Sequence, residues 1–121
     1  MEEKFYSYKD MAEKMAAEIK ENGTTDGDRS MFFFTAVANM AQILMGMMRM
    51  MQGSKEIQSP REIVREQARK CDFVNLNIWN KFFEIRNQLA HYQVDNMPVD
   101  MVMQVILPEF VKEFEVLKGM E

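Results

Sequence analysis

The sequence predicts an all-α fold, an up-and-down helical bundle of four to five helices. Apolar residues recur every three or four positions almost throughout the chain, the period of an amphipathic helix. Strand-like alternation is absent. The three prolines and five glycines fall between or near the ends of the periodic runs. A chain of 121 residues suits one domain, 1–121, with a modest core.

The first helix is expected from about Lys4 to Glu21. Phe5, Tyr8, Ala12, Met15 and Ile19 form its apolar stripe, and Asn22-Gly23 stops it. A polar loop from Thr24 follows, with Asp28 or Ser30 as the next N-cap. The second helix, about Ser30 to Gln52, is the most apolar stretch and is as long as a membrane span. Thr35, Asn39, Gln42, Gly46 and Arg49 nevertheless share one stripe within roughly 80° at about 100° per residue. Asn, Gln and Arg in a single line suit a bundle helix with one side at a cleft or water. The same helix carries Met31, Met40, Met45, Met47, Met48, Met50 and Met51. Methionine fills irregular core gaps; a clustered set can also serve as an adaptable partner surface or bind Cu(I).

Gly53 ends that helix. Ser59-Pro60-Arg61-Glu62 then spells a helix start, with serine as N-cap and proline at the first helical position. Arg61, Arg65 and Arg69 make a drifting basic row on this third helix. Glu62 and Glu66 stand three residues before Arg65 and Arg69, so a solvated face of intrahelical ion pairs accounts for the row. The chain either breaks at Cys71-Asp72, where Asp72 could cap a new helix, or runs on as one long helix to Gln93. Val94 to Val99 reads as a loop. The last helix, about Asp100 to Lys118, has Met103, Ile106, Phe110, Phe114 and Leu117 as its stripe, with a kink or re-start expected at Pro108.

Composition bounds the function. The net charge is −4, unlike the basic balance of most nucleic-acid binders, so any such contact must be local. The single cysteine rules out an intramolecular disulfide. Met1-Glu2-Glu3-Lys4 has no basic start leading into an apolar run. A cytoplasmic protein without a membrane role is the expectation. One His, one Cys and no carboxylate pair spaced with them give no metal site, and no cofactor is expected. Cys71 reads as a small buried hydrophobe.

The fourth helix carries the chemistry. With His91, the only histidine, at zero on a wheel of about 100° per residue, Asn77, Asn80, Glu84 and Asn87 lie within roughly 40° of it. Val74, Ile78, Phe82, Ile85 and Leu89 face the bundle. Leu76, Trp79, Phe83 and Ala90 form a second apolar group, read here as a flank exposed to a subunit interface. Arg86 lies roughly 140° from His91, in that apolar arc. There it must snorkel, pair with a buried carboxylate, or reach into a cleft at a subunit interface.

Arg86-Asn87-x-x-x-His91 resembles the motif of the HEPN superfamily of compact helical domains. The downstream Leu107-Pro108-Glu109-Phe110 helix is similar to the C-terminal half of HepT-type toxins, which pair with a nucleotidyltransferase-type antitoxin. The resemblance covers roughly residues 72–118. It implies a homodimeric, metal-independent endoribonuclease acting as a toxin or defence effector. RNA would be cleaved by 2′-hydroxyl attack at a dimer-interface site, with Arg86, Asn87 and His91 catalytic and Asn80, Glu84 and Tyr92 lining or supporting the cleft. One position departs from the pattern. HepT-like proteins carry a modifiable tyrosine two residues after the histidine; here that residue is Gln93, and Tyr92 directly follows His91. The alternative is a non-catalytic HEPN-like module that binds a protein or nucleic-acid partner. A third reading is a small helical subunit whose Arg86 pairs with a carboxylate for stability.

Overall fold

The computed structural model describes residues 2–22, 27–53, 58–90 and 97–120. Among them the chain is all-α, without a strand. Helix α1 spans Glu2–Asn22, α2 Gly27–Gln52, α3 Pro60–Lys70 and α4 Leu76–Ala90. Then α5, Val99–Met101, leads through a π-helical segment, Val102–Ile106, into α6, Leu107–Gly119. The expected break after α1 and the loop at 94–96 fall on residues outside the described set.

Helix α2 is the centre of the bundle and packs on α1, α3 and α6. Its Phe33, Val37, Met40, Leu44 and Met48 are buried, as are Met45 and Met47. Met31, Met50 and Met51 are exposed, so the methionine-rich stretch is core filler with exposed ends. This helix is long and apolar enough to cross a membrane, and more than half of that stretch is buried against the other helices. Its polar stripe lies at the surface: Thr35, Gln42, Gly46 and Arg49 are exposed. Neither Asp28 nor Ser30 is the N-cap, because the helix is already running at Gly27. Asp28 instead places a negative charge in the first turn, where the helix dipole favours it.

Aromatic rings join the helices. Phe5 of α1 stacks on Phe114 of α6 at 4.0 Å, Phe34 of α2 on Phe82 of α4 at 5.4 Å, and Trp79 of α4 meets Phe110 of α6 at 4.5 Å. Such pairs add about 0.5–1.5 kcal/mol each beyond the area they bury.

The punctuation is local. Gly53 adopts φ +64°, the left-handed conformation that closes a helix and suits glycine, and its N–H donates to the Arg49 carbonyl. Ser59 Oγ accepts the Glu62 N–H at 3.3 Å, which is the predicted cap. Gln52 Nε2 donates to the Ile63 carbonyl and to Gln67 Oε1, holding the end of α2 on α3.

The chain does break after Lys70, and Asp72 is not the cap. Cys71 is extended, with its N–H on the Gln67 carbonyl. Asn75 caps α4, its Oδ1 accepting the Ile78 N–H at 3.3 Å. At the other end of the chain, the Leu107 N–H reaches back to the Val102 carbonyl, five residues earlier. This wide turn sits just before Pro108. The proline brings no N–H and its ring would crowd the preceding turn of an α-helix. One extra residue per turn relieves both problems, so the helix widens where a kink or re-start was expected.

Candidate functional site

Arg86 lies on the fourth turn of α4, at its junction with α3. The apolar arc around it is not a free flank. Trp79 and Phe83 are 0% and 1% exposed within the single chain, and only Ala90 of the group is fully exposed. The expected interface arc is therefore largely intramolecular core. The bundle wraps that side of α4 with α3 and with the aromatic cluster of α6. Among the described residues no exposed large apolar side chain lies on α4; those on the surface are Met11, Met31, Phe32, Met50, Met51 and Met120.

Arg86 is half-buried, and its guanidinium lies over the Phe83 ring, 5.3 Å from the centroid. The two residues are three apart on one helix, so they share a face by construction. A second guanidinium, that of Arg61 in the first turn of α3, lies over the same ring at 4.9 Å. No carboxylate among the described residues pairs with either arginine. The ring faces offer each cation about 0.5–1 kcal/mol. Stacking uses the flat face of a guanidinium and leaves its in-plane N–H donors unspent. Two guanidiniums that border one ring with their in-plane donors available can receive an anion.

The basic row of α3 accordingly splits. Arg69 pairs with Glu66 at 3.1 Å, and Lys70 with the same carboxylate at 3.5 Å, as the spacing predicts. Arg61 turns to Phe83 instead. Its partner lies on another helix, which no spacing within α3 could reveal.

Of the other expected site residues, Glu84 and Asn87 are exposed and Asn80 half-buried, which agrees with a polar stripe at the surface. His91 and Tyr92 lie outside the described residues. A shallow cleft between α2 and the start of α3 is lined by Gln42, Gly46, Arg49, Gln58 and Pro60. It gives the polar stripe of α2 the setting expected for it. Cys71 is half-buried and receives Gln67 Nε2 at 3.3 Å from its sulfur. Among the described residues, no three His, Cys, Asp or Glu side chains gather as metal ligands.

One titratable pair was not anticipated. Glu113 of α6 is fully buried, and Glu109, one turn earlier, is nearly so. The Trp79 indole N–H donates to Glu113 Oε1 at 2.8 Å, and the Asn75 backbone N–H donates to Oε2 at 3.2 Å. Burial, reinforced by the hydrogen bond with Glu109, pushes the Glu113 carboxyl up to about 9, so it carries a proton at neutral pH. Glu113 anchors α6 to the start of α4, the helix that bears Arg86. The signal in the sequence was a glutamate roughly 60° from Phe110 on the wheel, at the margin of the apolar stripe.

No family model, curated protein or solved structure matches the chain.

Proposed function

We infer that the chain is a metal-independent endoribonuclease of HEPN type, with Arg86, Asn87 and His91 in its site. The observation that supports this most is the setting of Arg86. A guanidinium held on a phenyl ring, with no carboxylate partner among the described residues, is suited to receive a phosphate. The third reading, a structural ion pair at Arg86, finds no such pair among those residues.

The chemistry follows from the residue types. The ribose 2′-hydroxyl attacks the adjacent phosphorus, and one imidazole takes its proton. The O2′–P bond forms as the P–O5′ bond breaks, and a protonated imidazole gives its proton to the departing 5′-oxygen. The products are a 2′,3′-cyclic phosphate and a free 5′-hydroxyl. Arg86 stabilises the charge that builds on the phosphorane, and Asn87 orients the phosphate. The chain has one histidine, so two copies supply the two imidazoles in a homodimer. As a toxin or defence effector, such an enzyme would be restrained by a nucleotidyltransferase-type antitoxin.

RNA incubated in EDTA with the parent protein and with His91→Ala tests the reading. The variant should lose about 100-fold or more of the cleavage rate. Equal rates would sink the assignment. Arg86→Gln should cost about 100- to 1,000-fold in turnover. A variant that binds RNA less well and leaves a parent without cleavage unchanged would favour the non-catalytic binding module.

A further inference from the structure

We propose that Arg61 is a second phosphate ligand of the site, and that it and Arg86 form a two-guanidinium clamp on the backbone of single-stranded RNA, built on the two helices α3 and α4 around the Phe83 ring. The inference rests on the reading of Arg86 as a phosphate ligand and adds to it a residue outside the motif. Three observations carry it. The two guanidinium carbons lie 4.9 and 5.3 Å from one ring centroid, so both cations border the same ring although they come from different helices. Neither has a carboxylate partner among the described residues, whereas Arg69 and Lys70 on the same α3 both do. Phe83 is 1% exposed, which fixes the platform under both cations.

Like charges brought together repel, and a folded protein of net charge −4 has acidic groups to spare for neutralising them. Among the described residues, no carboxylate neutralises the clamp. An external polyanion is the partner that relieves the repulsion, and each phosphodiester of a nucleic-acid backbone offers its two non-bridging oxygens to a guanidinium fork. The polar cleft between α2 and α3 begins at Pro60, the residue before Arg61, and contains Arg49.

The test uses the full chain carrying His91→Ala, so that the RNA survives, and a fluorescently labelled single-stranded RNA followed by anisotropy at several salt concentrations. Arg61→Gln in that background should weaken binding by about tenfold or more. It should also reduce the slope of log affinity against log salt by about 0.7, the value for one lost phosphate contact on a single strand. Arg65→Gln removes the same charge from an exposed position on the same helix and should leave the slope unchanged. Arg61→Lys keeps the charge and loses the planar stack, so its affinity should fall between the parent and Arg61→Gln. Circular dichroism confirms that each variant is folded. Equal effects of Arg61→Gln and Arg65→Gln, no effect of Arg61→Gln, or no binding of RNA by the His91→Ala chain would each overturn the clamp. The nuclease reading fails separately, if His91→Ala cleaves like the parent; the clamp then stands or falls on binding alone.

Discussion

Glu113 holds a proton at neutral pH because its carboxyl is buried beside another, which outweighs the Trp79 indole and the Asn75 N–H that donate to its oxygens and favour the charged form. The folded-state value, about 9, lies above the roughly 4.3 of a free glutamate. The stability it contributes is therefore fully present below the free value and erodes as pH rises towards 9, because the unfolded chain releases the proton first. Glu113→Gln should flatten that decline in urea titrations run from pH 5 to pH 9. An amide presents one oxygen to two donors, so the variant should start lower in acid, by about 1–3 kcal/mol for the donor left without an acceptor. A parent whose stability does not fall across this range would show Glu113 ionised in the ordinary way. Arg86 poses a complementary case: its guanidinium lies half-buried on the face of a ring, at little cost to its hydrogen-bonding capacity.

At the scale of the element, α3 and α2 are the instructive helices. Ser59 caps α3 through the Glu62 N–H and so sets the orientation of the turn that carries Arg61. Ser59→Ala should cost about 1 kcal/mol by urea unfolding. The methionines of α2 divide by depth and should divide by energy. Met48 is fully buried, and Met48→Ala should cost about 2–5 kcal/mol. Met50 is 80% exposed, and Met50→Gln should stay within about 0.5 kcal/mol of the parent. Similar losses at the two positions would mean that the exposed end of α2 is covered in solution. The π-helical segment Val102–Ile106 shows a third kind of element, one shaped by a residue just beyond it, Pro108.

For the whole molecule, the proposed chemistry requires two copies. The mass in solution should be twice that of the chain, and activity should fall on dilution into the monomer range. A monomer that cleaves at full rate would exclude the scheme with two imidazoles. An apolar arc on α4 does not offer a surface for a second copy, since Trp79 and Phe83 are spent on the bundle's own core. Among the described residues, the large exposed apolar side chains lie on α1, on the two ends of α2 and at Met120.

By itself the sequence determined the helical class, the approximate span of α1, the end of α2, the start of α3, the Ser59 cap and the Gly53 stop. All of these are encoded within a few neighbouring residues: the period of burial along a helix, a side-chain oxygen three residues from an N–H, a glycine where φ turns positive. The motif residues were legible for the same reason, as a local string, and Arg86 stood out because it interrupts an apolar arc. Only the tertiary structure decided where α4 begins, because Asn75 meets Glu113 across 38 residues of chain. It also decided that Trp79 and Phe83 are core and not interface, and that Arg61 leaves its expected row to join Arg86 on one ring. Each of these depends on which helices become neighbours. The wheel of one helix reports which side is apolar and is silent about what will cover it.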